Sequence, residues 1–286
     1  MTSYPNTNVV LSTINSHPRD ANINFVENGH KYTILNDAHS NYTSVTTWTH
    51  SHFPKFDADA VIESMMKGKN WGPSNKYWGL TPLEIKTSWT NNGSSVAAAG
   101  TNLHYEIECF MNNANIWPHY CQEDLLRYYK TNLSKKELGV EWEYFIQFVE
   151  DFPQLKPYRT EWLIYDEEIK IAGSIDMIYE NPDGSLSIYD WKRSKEIKAV
   201  NNFKKIALTE CISHLHDTNF WHYSLQLNTY KTILEKKYNK TIKELFLVKL
   251  HPNNKTNSYE LISVPILEKE MSDLYKVRKQ MLIKKT

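Results

Sequence analysis

The sequence predicts an α/β or α+β sandwich in which helices flank a mixed sheet. Three observations lead there. Segments 159–166, 169–180 and 185–192 carry β-patterns in succession, and Asn181-Pro182-Asp183-Gly184-Ser185 reads as the turn between the last two. Helical patterns stand on both sides of this meander, and β-patterns return at 244–251 and 258–264 before a basic closing helix at 266–283. With 286 residues, 41% hydrophobic and 23% charged, the chain can build one large domain or a domain with an elaborated lobe.

The elements follow in order. Residues 1–20 are polar and aperiodic and read as a loose arm. Ile23-Asn24-Phe25-Val26 and Tyr32-Thr33-Ile34 flank Asn28-Gly29, a strong hairpin signal. Residues 57–68 read as a helix. The stretch 70–92 is rich in Trp, Gly, Pro and Asn and reads as loop with one short helix at 82–88. A helical pattern runs from Ser95 to about Asn113, and Pro118 opens another that reaches about Lys130. In 134–150, Trp142, Tyr144, Ile146 and Phe148 alternate, which suggests a strand. Beyond the meander, 196–208 and 218–238 read as helices. The expected organisation is an arm at 1–20, a hairpin and helical region at 21–95, and a core at 96–286 ending in the basic helix.

Composition narrows the class. No run of about 18 apolar residues exists, so no membrane span is expected. The first residues lack a basic and then apolar leader pattern, so a secreted protein is not expected. Cys109, Cys121 and Cys211 are scattered and form no CxxC pair, which suits a reducing, intracellular setting. Basic and acidic side chains balance at 33 each, but not evenly along the chain: residues 101–190 hold 7 basic and 17 acidic, residues 191–286 hold 19 and 9. Acid followed by base suits a metal site beside a phosphate-binding surface, although charge alone favours the plainer reading of two solvated faces that neutralise each other.

The chemistry concentrates between Gly173 and Lys192. With the turn centred on Asp183, Asp176 falls directly opposite Asp190, and Lys192 projects from the same face as Asp190. Ile175, Met177, Tyr189 and Trp191 then line the other face. Two carboxylates and a lysine on one face suit a hard divalent cation, Mg²⁺ or Mn²⁺, and the lysine suits a developing negative charge. A simple ion-paired hairpin is the alternative. Two helical pairs add to the set: His104 with Glu108, and Gln226 with Tyr230, each at i,i+4. A packed amphipathic stripe of Tyr223, Leu227, Tyr230 and Leu234 is the plainer reading of the second.

Taken in order, Gly100…His104, Gly173…Asp176, Asp190-Trp191-Lys192 and Gln226…Tyr230 resemble the motifs of the RecB-type branch of the PD-(D/E)XK nucleases. Tyr42-Thr43-Ser44-Val45-Thr46-Thr47 is similar to a Ser-Val-Thr segment of the mitochondrial genome maintenance exonucleases and related viral enzymes. The resemblance spans about residues 42–250. It implies an α/β restriction-endonuclease-like core with an N-terminal, mainly helical elaboration. It implies one or two Mg²⁺ or Mn²⁺ ions held by His104, Asp176, Asp190 and the Trp191 carbonyl, with Lys192 as catalytic lysine. Glu161 is an accessory or supporting acid, and Gln226 and Tyr230 support the site. Four thiolates hold the iron–sulfur cluster of some relatives; three scattered cysteines predict none here.

For substrate, Arg193, Ser194, Lys195, Lys198, Lys204 and Lys205 follow the site directly and form an expected nucleic-acid track. Residues 57–95, with Trp71, Trp78 and Trp89, are an expected arch for threading DNA ends. The leading expectation is a metal-dependent DNA exonuclease acting on single strands or ends, in repair, recombination or replication. A non-catalytic nucleic-acid-binding protein and an endonuclease of the same fold are the alternatives. A paired-carboxylate glycosidase is disfavoured by Lys192.

Overall fold

The structure is a computed structural model that describes residues 10–113, 121–132 and 139–284. It divides into two units, one reaching Pro54 and resuming at His104, the other Lys55–Leu103.

The larger unit begins with α1 (Val10–Ile14) and a 3₁₀ turn (Pro18–Asn22). These correct the expectation of a loose arm from residue 10 onward. Leu11 is fully buried, the Asn15 side chain donates to the Tyr158 carbonyl (2.8 Å), and Asp20 accepts from Arg159 and Trp162 (2.8 Å each). Next comes the ribbon β1 (Ile23–Val26) and β2 (Lys31–Ile34), antiparallel with Val26 opposite Lys31; Gly29 has φ 85°, the left-handed backbone its turn needs. The short strand β3 (Thr43–Ser44) leads into α2 (Val45–His50), and Ser44 Oγ caps that helix by accepting from the Thr47 amide (3.1 Å).

The smaller unit holds α3 (Ala58–Met66), capped by Asp57, and most of α4 (Pro82–Met111). Aromatic rings pair within it: Trp71 with Trp78 at 5.6 Å, and Trp89 with Tyr77 and Phe56 at 5.9 and 6.0 Å. The expected short helix at 82–88 and the helix from Ser95 are one helix of 30 residues. Asn91-Asn92-Gly93 reads as a break, but Thr81 and Glu84 form a capping box before Pro82, and the Thr90 and Ser94 hydroxyls donate back to the carbonyls four residues earlier (3.0 and 3.1 Å).

After α4 come α5 (Gln122–Asn132) and α6 (Val140–Asp151). Pro118 lies outside the described residues. The strand expected within 134–150 is instead α6. Phe145 and Val149, both fully buried, join Trp142 and Phe148 in a stripe of helical period that outweighs the two-residue alternation.

The meander is β4 (Lys156–Asp166), β5 (Ile171–Glu180) and β6 (Leu186–Lys192), followed by α7 (Asn219–Lys237), β7 (Ile242–Lys249), β8 (Glu260–Ser263) and α8 (Glu268–Ile283). No helix formed by the described residues at 196–208 matches the expected one. There Asn201 accepts from the Phe203 and Lys205 amides (3.1 Å each) and donates to the Lys205 and Asp217 carbonyls (2.7 and 3.0 Å), so its side chain takes the backbone partners a helix would use.

The main sheet runs β3-β5-β6-β7-β8, with β4 on β5. β6 and β7 are parallel; β4, β5 and β6 are antiparallel neighbours. β4 follows one edge of β5 along nearly its whole length. The other edge is shared: β6 pairs with residues 177–180 and β3 with residues 171–172. The ladder on that edge is therefore interrupted between Ala172 and Met177, and the site lies there.

Side-chain alternation also reverses at this point. Ile175 and Ile178 pack in the same buried cluster as Leu227 and Tyr230 of α7, whereas Tyr179 donates to Gln122 of α5 (2.7 Å) and Tyr189 and Trp191 stack against Phe148 of α6. Ile175 thus leaves the face expected for it, while Tyr189 and Trp191 keep theirs. Between the pairs Thr160↔Met177 and Trp162↔Ile175, Glu161 and Asp176 face each other, and Glu161 has φ 42°.

Candidate active site

His104 comes from the last turns of α4, Glu161 from β4, Asp176 from β5, Asp190, Trp191 and Lys192 from β6, and Gln226 and Tyr230 from α7. The β5–β6 ladder pairs Met177 with Tyr189, the register the sequence predicts, and ends there. One step further the Asp176 carboxylate takes over: its Oδ2 accepts from the Trp191 amide at 3.1 Å.

His104 reaches both sides of that contact. Its Nε2 lies 2.9 Å from the Trp191 carbonyl oxygen, and its Nδ1 lies 3.6 Å from Asp176 Oδ2. A carbonyl only accepts, so Nε2 carries a proton, and the neutral ring has its lone pair on Nδ1, the atom on the Asp176 side. One ligand-type atom from each of His104, Glu161 and Asp176 lies within 4.8 Å of the other two. Glu161, an accessory group by sequence, therefore stands inside the cluster.

Asp190 lies beside Asp176, next to that group of three. Its side chain is 2% exposed and touches the Lys192 ammonium. Neither of its carboxylate oxygens has a hydrogen bond of sound geometry among the described residues. Burial and then the neighbouring Asp176 push the Asp190 carboxyl up to about 7, against the opposing pull of Lys192. Burial and Asp176 push Glu161 up to about 8, although Ser174 Oγ donates to its Oε2 at 2.8 Å and favours the anion. Burial pulls the Lys192 ammonium down; Asp190 and Asp176 outweigh it and hold it above its ordinary range. Tyr223 of α7 lies under that ammonium, 4.6 Å from ring centre to Nζ.

Gln226 Nε2 donates to the Tyr230 hydroxyl at 3.0 Å. Burial lifts the phenol well above its usual range, so it stays protonated beside Asp190 and Asp176. Gly173 explains why its motif needs glycine: a Cβ there would lie 2.8 Å from Tyr230 Cε1 and 2.9 Å from Val45 Cγ2. Val45 belongs to the Ser-Val-Thr segment, so that segment packs directly behind the site.

The basic track is an irregular chain rather than a helix face. Arg193 Nε donates to Glu141 Oε1 of α6 at 2.8 Å, Ser194 Oγ donates to the Glu196 carbonyl at 3.0 Å, and Lys198 pairs with Glu196 at 2.8 Å. Lys195, Lys204 and Lys205 are exposed, and Lys204 has φ 53°.

Sequence reasoning missed Ser174 and the role of Tyr223. Ser174 was within reach, since it lies two residues before Asp176 on one strand. Tyr223 left a signal only as part of an aromatic stripe.

A family profile described as the PD-(D/E)XK nuclease superfamily matches residues 108–283. Among solved structures, one from Eubacterium rectale, provisionally named an exonuclease, is 11% identical, with a TM-score of 0.38 over 85% of this chain and 79% of its own. No curated protein matches the chain. Among the described residues no helix is long and apolar enough to cross a membrane.

Proposed function

The chain belongs to the PD-(D/E)XK nuclease superfamily, and from that premise we propose that it is a divalent-cation-dependent deoxyribonuclease that degrades linear DNA from its ends. The observation that carries this reading is the convergence of one ligand-type atom each from His104, Glu161 and Asp176 within 4.8 Å of one another, beside the buried Asp190–Lys192 pair. Three carboxylates converge on one lysine there, so the set favours further positive charge.

The donor set is three carboxylates and one imidazole, which suits Mg²⁺ or Mn²⁺, in one or two ions, held by Asp176, Asp190, Glu161 and His104. When bound, such a cation supplies Lewis-acid polarisation of the phosphodiester and lowers the pKa of water. The protein's own groups do the rest. Lys192 remains an ammonium at neutral pH, so it donates to phosphate oxygens and stabilises the charge that develops there. Tyr223 and Asp190 fix its position, leaving less to reorganise during reaction. Gln226 orients the Tyr230 hydroxyl, a neutral donor beside the acids. The Trp191 carbonyl orients His104 by accepting from Nε2.

The test is labelled linear and circular DNA, single- and double-stranded, incubated with Mg²⁺, Mn²⁺ or chelator. Loss of linear DNA only, abolished by chelator, is expected. Cutting of circles would make the protein an endonuclease, and salt-sensitive binding without cleavage in any metal would make it a binding protein.

A further inference from the structure

β6 and β7 run parallel, and their C-terminal ends bring Lys249 beside Lys192. Ligands of open α/β sheets collect outside such strand ends. The chain leaving the two strands encloses a cavity of about 410 Å³ there. Lys195 and Glu196 line it from the segment after β6. Lys249, Asn253, Lys255 and Glu260 line it from β7, β8 and the connection between them. That connection is fixed from inside. Asn254, 3% exposed, donates to the Lys249 and Ser258 carbonyls (3.0 and 2.8 Å), and the Asn253 backbone amide donates to His251 Nδ1 (3.1 Å).

The charges of this cavity are unequally satisfied. Lys249 is committed to Glu260 across the β7–β8 ladder (2.8 Å), and Glu196 is committed to Lys198 (2.8 Å). Both lining carboxylates therefore have a cation. Lys195 and Lys255 are exposed and enter no ion pair among the described residues. Neighbouring groups register the surplus. Lys198, with Lys255 and Lys249 behind it, holds the Glu196 carboxyl below its ordinary range. Burial pushes the His251 imidazole down, and Arg193, Lys249 and Lys195 add to that push against the pull of Glu141. A concave site with two uncommitted ammonium groups and the Asn253 side chain beside them matches a singly charged phosphodiester.

We infer that this cavity is a phosphate subsite, in which Lys195 and Lys255 hold the backbone phosphate of the substrate strand next to the one at Lys192. The inference rests on the nuclease reading above and deepens it: the basic track has two sides, one following β6 and the other supplied by the β7–β8 connection. Adjacent strands lie roughly 4.7–4.9 Å apart, so the pairing of Lys192 with Lys249 puts subsite and reacting phosphate on one short stretch of backbone.

The experiment uses the full chain and a labelled single-stranded oligonucleotide. Binding is read by fluorescence anisotropy in chelator across a salt series, and stepwise digestion is read in Mn²⁺. Lys195→Ala and Lys255→Ala should each lower the slope of log K against log salt by about 0.7 and raise Kd about fivefold at roughly 0.1 M salt. Lys255→Arg should keep the parent slope, and Lys269→Ala, on α8, should change neither quantity. Both cavity lysines are exposed, so their loss leaves the core intact. A single neutral methylphosphonate placed in the strand should slow digestion at the neighbouring bond as well as at its own, and the double variant Lys195→Ala with Lys255→Ala should lose the neighbouring pause. Unchanged Kd and slope in both single variants, or a neighbouring pause that survives in the double variant, overturns the subsite and leaves the nuclease reading standing. Absence of cleavage in every metal overturns the nuclease reading, and the salt slopes then decide the subsite alone.

Discussion

The two ends of the acidic cluster follow opposite rules. Asp190 and Lys192 are sealed, with side chains 2% and 16% exposed, and neutralise each other over Tyr223. His104 and Asp176, 28% and 13% exposed, meet Glu161. One end is an ion pair built by the fold. The other is a set of ligand atoms whose mutual repulsion the fold tolerates. Charge that must persist through a reaction is fixed by burial, and charge that must be met from outside stays within reach of solvent.

Breaking the sealed end should have the largest effect. Lys192→Ala should lower the initial rate on linear DNA by roughly a thousandfold or more and, by stranding Asp190, destabilise the fold by about 3–5 kcal/mol in urea unfolding. The double variant Asp190→Asn with Lys192→Met should recover much of that stability and none of the activity. Full activity in Lys192→Ala would remove the mechanism proposed for the sealed end.

Asp176→Asn should separate the two ends. Activity should fall as steeply, because a ligand is lost. The metal-free melting temperature should hold or rise, because one repelling carboxylate is gone and an asparagine oxygen still accepts from the Trp191 amide. A clear drop in metal-free stability would show that the open end is structural.

Gly173→Ala probes the layer behind both ends. The added Cβ meets Tyr230 and Val45 below 3.0 Å, so overpacking should cost about 1–3 kcal/mol and displace the Tyr230 ring. A variant as stable and active as the parent would remove the close-approach argument.

Protons sharpen the comparison most finely. Asp190 and Glu161 have folded pKa values raised to about 7 and about 8, from 3.8 and 4.5. Groups raised in this way contribute stability at low pH, and it is lost as pH rises through the folded values. The metal-free protein should therefore lose their contribution as pH climbs through about 7 and about 8, and the cluster becomes fully anionic only above that range. Added Mn²⁺ should raise the melting temperature more at pH 8 than at pH 6. An equal shift at both would mean that these carboxyls do not bind the cation.

Much of the fold was legible. The restriction-endonuclease-like arrangement of a mixed sheet flanked by helices, the β5–β6 register, the ribbon and α7 follow from patterns strong enough to survive packing. The errors share a cause. In α6 a short aromatic alternation hid the helical stripe that Phe145 and Val149 complete. In α4 a capped helix runs on through Asn91-Asn92-Gly93, with the Thr90 and Ser94 hydroxyls turned back onto the helix's own carbonyls instead of competing for a turn. At 196–208 Asn201 satisfied the backbone by itself. Each turns on a hydrogen bond or a tertiary contact that residue pattern does not encode. The site divides in the same way: the Asp190–Lys192 pair follows from spacing along one strand, but the entry of Glu161 into the cluster comes with the irregularity of β4 at that residue, which leaves no mark in spacing.

That irregularity governs how Glu161 can be studied. A left-handed backbone at a non-glycine residue costs on the order of 1–3 kcal/mol and admits glycine or asparagine far more readily than a β-branched side chain. Glu161→Asn would remove the charge while relieving strain, whereas Glu161→Val would remove the charge and add strain. Substitutions at this one position sort by backbone shape before they sort by chemistry, and a scan that ignores shape would credit the carboxylate with the difference.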